Sequence, residues 1–175
     1  DYISIDDELF RIFDGGADLA DQDLHDSVAV GPERTMEQDP KFAFRILVDI
    51  ASKALSPAIN DPTTAVIAVD HIHHLLRYVG SRYLATGNEK GKDGRVRLVY
   101  KTPNWEDFVY LSVTEIRQYG RDSIQIMLRL RTMMEYLIDA LHDLREPLLH
   151  KELQLLERSI KRNFPDIEDR NLAAL

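Results

Sequence analysis

Apolar residues recur at helical spacing in five long stretches of this chain, and the intervals between them are short and polar. The first stretch runs from Thr35 to Leu55. Phe42, Ile46, Leu47, Ile50, Ala54 and Leu55 make its stripe, and Phe44 and Val48 widen it, so the pattern predicts a helix covered on more than one side. Thr35 is a candidate N-cap with Gln38 three residues on, as in a capping box, and Pro40 fits the first turn. Asp49 and Lys53 stand four apart in the favourable order for a helical ion pair. The second helix spans Pro62 to Val79, with Ala65, Val69, Ile72, Leu76 and Val79 as its core stripe and Gly80 at its end. Asn104 is a good N-cap for a third, carrying Trp105, Phe108, Val109, Leu111, Val113 and Ile116 and ending at Gly120. Asp122 to Leu144 is the longest, with Leu130, Met133, Met134, Leu137, Leu141 and Leu144 in line. The last opens at Pro147 and places Leu149, Leu153, Leu156 and Ile160 at heptad-like intervals. Phe164-Pro165 ends it, and residues 166–175 read as a tail that frays.

Elsewhere the pattern is shorter. Tyr2, Ile3 and Ile5, then Leu9, Phe10, Ile12 and Phe13, predict two short strands around a turn at Asp6-Asp7. Gly15-Gly16 breaks the chain, and Asp18 to Val28 reads as a short acidic helix. Val96, Leu98 and Tyr100 alternate with Arg95, Arg97 and Lys101, as in a half-buried strand that pairs with a partner just before the polar loop 84–94. Gly87 to Lys92 is one residue short of a phosphate-binding loop, and Asp93 stands where Ser or Thr belongs, so that reading fails. The predicted fold is mainly α: an antiparallel helical bundle of four to five helices, with small β elements at the N-terminus and near residues 95–101. Residues 1–14 form the β element, the end of a truncated small barrel. Residues 15–175 form the helical domain, with a strand insertion near 82–101.

Composition narrows the class. With 175 residues the chain is long enough for a sizeable core. No apolar run reaches the roughly 18 residues of a membrane span. The net charge of −8 argues against nucleic acid as a partner and against an anionic membrane surface. Zero cysteines exclude disulfides and thiolate chemistry. The chain begins at Asp1 rather than Met, which reads as a fragment or a processed product.

The chemistry concentrates where the first two long helices meet, at Ala54 to Ala65 (ALSPAINDPTTA). A residue before proline is pushed out of the α region, so Ser56 and Asp61 are expected to be extended. Asp61 is then an N-cap accepting from Thr63 or Thr64, with Pro62 at the first helical position. Asn60 tolerates the left-handed conformation that a tight reversal needs. Ser56, Asn60, Asp61, Thr63 and Thr64 can line a small polar pocket there, suited to a small anionic ligand. Arg34 or Arg117 can face it, and the arginines Arg117, Arg121, Arg129 and Arg131 cluster around Tyr119-Gly120. A guanidinium of this cluster can instead pair with Asp61 or Asp39 across the bundle. Asp70 and His74 share a helical face and are candidate metal ligands, although a third ligand must come from elsewhere; His25, His142 and His150 are candidates for that position. No nucleophile–base pair follows from spacing, and no cofactor is implied.

The wording ALSPAINDPTTA follows GPERTMEQDPKFAFRILVDIA and is followed by WEDFVYLSVTEIRQYGRDSIQIMLRL. Together they resemble the soluble C-terminal region of a family of bacterial predicted membrane proteins of unknown function. The resemblance implies transmembrane helices before this region. Residues 1–13 resemble the end of a barrel-sandwich module; no lysine sits in the turn, so lipoyl or biotinyl attachment is not implied.

The expectation is a non-enzymatic soluble domain of a bacterial membrane protein, serving assembly or ligand sensing coupled to the membrane part; the resemblance implies the cytoplasmic side if its members have an even number of membrane helices and a cytoplasmic N-terminus. Its expected partners are its own transmembrane region and further copies of itself. One rival is a metal-dependent hydrolase using Asp70 and His74. The other is a purely structural oligomerisation module with an exposed seam on Leu149, Leu153, Leu156 and Ile160.

Overall fold

The structure, a computed structural model, describes residues 3–13, 19–28, 30–31, 33, 35–36 and 39–173. It divides into two compact units, Asp1–Arg34 and Thr35–Leu175. A boundary at 14/15 falls outside the described residues.

In the first unit, Ser4 to Asp7 make a turn. The Ser4 N–H donates to Asp7 Oδ2 (2.6 Å), the Asp7 N–H donates to the Ser4 carbonyl (3.1 Å), and Asp6 takes φ 75°. The two strands expected around this turn are not found among residues 3–13. A strand is held by ladder hydrogen bonds to a neighbour. Among the described residues none forms beyond the turn, and Ile5 is 94% exposed. The acidic helix α1 is shorter than its pattern, Asp21–Asp26, and buries nothing.

The second unit is built on five long helices. Helix α2, Pro40–Ala54, begins five residues later than the pattern predicts. Pro40 forces Asp39 into an extended conformation, and the Asp39 carboxylate accepts from the Lys41 N–H (2.9 Å), so Asp39 rather than Thr35 is the cap. Its buried face is Phe44, Val48, Ala51 and Ala54; Ile46 and Ile50 of the expected stripe are exposed. Asp49 pairs with Arg45 (2.7 Å), not with Lys53. Helix α3, Pro62–Gly80, buries Ala65, Val69, Ile72 and Leu76 as expected, and Ala68 and Gly80 besides. At Gly80 a Cβ would meet Leu141 Cδ1 at 2.6 Å and Trp105 Cη2 at 3.1 Å, so the helices close there on a residue without a side chain.

Strand β1, Asn88–Lys90, pairs antiparallel with β2, Val96–Val99, with Asn88 opposite Val99 and a bulge between Glu89 and Lys90. The partner of β2 therefore lies inside the segment read as loop. Both strands are exposed throughout and pack on no helix, so the expected half-burial is absent. Alternation here reflects the pleat of a free-standing hairpin.

Helix α4, Trp105–Tyr119, has the full capping box: Asn104 Oδ1 accepts from the Asp107 N–H (2.8 Å) and Asp107 Oδ2 from the Asn104 N–H (3.1 Å). Helix α5, Ile124–Ala140, stops before Leu144, which is 83% exposed and outside the core stripe. Helix α6, Glu146–Asn163, turns Leu149, Leu156 and Ile160 inward, with Leu153 packed at the core edge. The seam that an oligomerisation module would expose is used within the chain. The expected frayed tail contains a helix, α7, Ile167–Ala173, which packs on α5 and α6.

Helix α2 packs on α3 and α4, α3 on α5, and α5 on α6. The core runs from Phe44 and Val48 through Ile72, Leu76, Ile116 and Met127 to Leu137 and Leu149. Phe44 and Phe108 hold α2 to α4 with ring centroids 5.2 Å apart. Short connections at 55–61, 120–123 and 141–145 make successive helices antiparallel. The elbow between α2 and α3 therefore lies at the same end of the bundle as the α4–α5 turn.

Candidate functional site

The elbow forms as its local chemistry dictates. Asn60 takes φ 49°, and the Asp61 N–H donates to the Ala54 carbonyl (2.8 Å), closing the reversal onto the last residue of α2. Asp61 caps α3: Oδ1 accepts from the Thr64 N–H (3.1 Å) and Oδ2 from Thr64 Oγ1 (2.5 Å). The Thr64 hydroxyl, then its backbone N–H, hold the Asp61 carboxyl below the usual aspartate range. The Ser56 carbonyl accepts from the N–H groups of Ile59 (3.0 Å) and Asn60 (2.9 Å), while Ser56 Oγ donates to the Lys53 carbonyl (2.7 Å).

The polar groups of Ser56, Asp61 and Thr64 are thus engaged by the turn itself. Of the residues read as a pocket, Asn60 lines a cleft of about 670 Å³; its other lining residues include Leu55, Pro57, Gln118, Tyr119, Arg121 and Asp122. Thr63 lies on a separate groove between α3 and α5. Arg34 lies outside the described residues. Arg117 is not at this cleft and does not pair with Asp61 or Asp39: it is buried in α4 and acts through space on Glu152 of α6. The cation at the elbow is Arg121, paired with Asp122 at 3.5 Å.

A lowered carboxyl pKa gives a sign to the pH dependence. The stabilisation from the Asp61 cap is present above the ordinary aspartate value of 3.8 and is lost as pH falls through the lower folded value. Asp61→Ala is expected to lower the melting temperature by roughly 2–4 °C at neutral pH. In melting curves followed by circular dichroism, the difference from the parent should shrink as pH falls below 3.8.

Asp70 is tied to α5. Its carboxylate accepts a short hydrogen bond from Arg129 Nε of α5. Arg129 Nη2 lies 3.0 Å from His73 Nδ1. Arginine only donates, so His73 Nδ1 accepts and the ring carries its proton on Nε2. Burial first, and then the Arg129 charge, lower the His73 pKa. His74 is exposed and stacks on His73 at 6.0 Å. Among the described residues no three His, Asp or Glu side chains stand together as metal ligands. Arg129 takes one oxygen of Asp70, Oδ1, and its guanidinium charge disfavours a second cation beside that carboxylate. A second cross-link joins Arg45 to both oxygens of Glu115 (2.6 and 3.2 Å), tying α2 to α4.

An elbow fixed by its own caps, tied helices around it and a polar cleft beside it define a helical module. The chain belongs to the DUF2254 family of predicted membrane proteins, whose family model matches residues 1–136. It is similar to the uncharacterized protein Rv1290c of Mycobacterium tuberculosis and to the uncharacterized protein Mb1321c of Mycobacterium bovis. Each is 31% identical over 144 residues, covering 82% of this chain. The chain spans 28% of the length of these curated relatives. No solved structure matches it. Among the described residues, no helix is long and apolar enough to cross a membrane.

Proposed function

We propose that this chain is a non-enzymatic domain on the cytoplasmic side of an integral membrane protein and that it couples a small anionic ligand to the membrane-embedded part. The observation that carries this reading is the cleft between the elbow and the α4–α5 turn. One wall is a backbone reversal held by Asp61 and a left-handed Asn60; the other carries Arg121. A wall fixed before binding costs little ordering when a ligand arrives. Ser56 Oγ donates to the Lys53 carbonyl, which speaks against a nucleophilic role for it.

Assembly is the second reading, and a different surface supports it. Ile67, His71, His74 and Tyr78 stand at i, i+4, i+7 and i+11 on the outward face of α3, and all four are exposed.

Native mass spectrometry of the chain, repeated after denaturation, tests both. The ligand reading expects an added small mass that is lost on denaturation and is at least tenfold less occupied in Asn60→Gly, which keeps the left-handed turn, and in Arg121→Ala, both with melting temperatures near the parent value. A bare chain in every sample sinks it. A multimer with no added mass would move the function to the α3 surface.

A further inference from the structure

The end of the bundle away from the elbow holds a larger cleft, about 840 Å³, framed where α3 ends, α4 begins, α5 ends and α6 begins. Helix α3 has 19 residues, so at about 1.5 Å per residue the two clefts lie roughly 28 Å apart.

Two arginines line this second cleft, Arg82 and Arg145. Neither forms an ion pair with a carboxylate among the described residues, whereas Arg45, Arg129 and Arg131 all do. Arg82 lies over the Tyr78 ring, 4.6 Å from its centroid, and donates to the Tyr78 hydroxyl (3.1 Å). Arg145 lies 5.4 Å from the Trp105 ring centroid and donates to the Arg82 carbonyl (3.4 Å). The Arg145 carbonyl in turn accepts from Trp105 Nε1 (3.3 Å). Rings and carbonyls hold both guanidinium groups in place without neutralising them. Helix α6 begins at the same cleft, and its N-cap position, Arg145, supplies no side-chain cap. Against these cations stands one lining carboxylate, Glu106. In a chain of net charge −8, such a place selects anions locally.

The cleft is larger than a bare inorganic anion needs, and Leu84 and Leu141 give it an apolar side. We propose that it binds an organic phosphate, the phosphate group held between Arg82 and Arg145 and the carbon skeleton set against Leu84 and Leu141. Two guanidinium forks match the charge and oxygen geometry of a phosphate dianion. A soluble phosphoester and a phospholipid headgroup share this chemistry.

Trp105 is the single tryptophan of the chain, so its emission reports on this cleft. The chain is titrated with phenyl phosphate, with benzoate, and with vesicles of phosphatidylglycerol or phosphatidylcholine, following Trp105 emission and, in parallel, heat. The expected result is a saturable response to phenyl phosphate that weakens at least tenfold in Arg82→Ala and in Arg145→Lys. It stays unchanged in Arg95→Ala on the hairpin. A response confined to phosphatidylglycerol vesicles and lost in the same two variants assigns the phosphate to a lipid. Benzoate binding as tightly as phenyl phosphate, no saturable emission or heat change with any phosphate probe, or equal binding by the Arg82 variant overturns the proposal. Circular dichroism melting of each variant separates lost binding from lost folding. The guanidinium over the Trp105 ring is that of Arg145, while Arg82 lies over Tyr78, so the Arg82 variant leaves the reporter's own cation contact in place.

Discussion

Replacing Arg117 by methionine is expected to destabilise the helical unit by about 3–5 kcal/mol, read from the urea midpoint at neutral pH. Arg117 is 9% exposed and Glu152 only 2% exposed, on facing helices. Arg117 Nε and Glu152 Oε2 are both buried without a hydrogen bond. Burial raises the Glu152 pKa, and the charge of Arg117, then that of Lys151, pulls it back. Removing Arg117 leaves a buried carboxylate with little to offset its lost hydration. The double variant Arg117→Met, Glu152→Leu should recover most of the loss, because the uncompensated charge leaves with its partner. The pH dependence has a definite sign. A carboxyl whose folded pKa is raised contributes stability that is fully present below the ordinary glutamate value of 4.5 and is lost as pH rises through the folded value. That loss should be larger in Arg117→Met and absent in Glu152→Gln. A single variant costing under about 1 kcal/mol would show that the two charges do not depend on each other.

The second large effect is expected at Phe44. Phe44→Ala should cost about 3–5 kcal/mol, since the ring is 2% exposed and packs at a tilt against Phe108 between α2 and α4. Ile50→Ala, on the same helix but 43% exposed, should stay within about 1 kcal/mol. Chemical denaturation of the two variants side by side decides which face of α2 is the core face, and equal losses would overturn the packing described here.

That contrast also shows where sequence reasoning stops. Helix α2 carries apolar residues on every side, from Phe42 and Phe44 to Ile46, Leu47, Val48 and Ile50, so periodicity marks a helix without choosing its face. The choice is made by Phe108 and the other side chains it meets, which are distant in sequence. The elbow was legible because its chemistry is local: Asp61 before Pro62, with Thr64 three residues on, and Asn60 at the reversal. The start of α3 and the N-cap at Asn104 were legible for the same reason. The partners of the charged residues were not. Asp70 meets Arg129, and Arg117 faces Glu152, which stands next to Leu153 in a helix whose sequence marks only its apolar seam. Tertiary pairing of this kind leaves no local mark on the sequence. Arg121 stands beside the turn at Gly120, and that position was the one available hint that it, rather than Arg117, belongs to the elbow cleft.

The hairpin between α3 and α4 has a consequence for how the chain can be handled. Its strands lean on nothing, and its tip runs from Gly91 to Gly94, where Gly94 takes φ 77° with open space around it. The entropy of closing a loop grows only logarithmically, by about 0.6 kcal/mol for each doubling of its length. Foreign sequence spliced into this tip, a fluorescent domain or an affinity tag, therefore adds little to the closure entropy and displaces none of the helix contacts. The tip offers an internal attachment point that leaves both chain termini untouched.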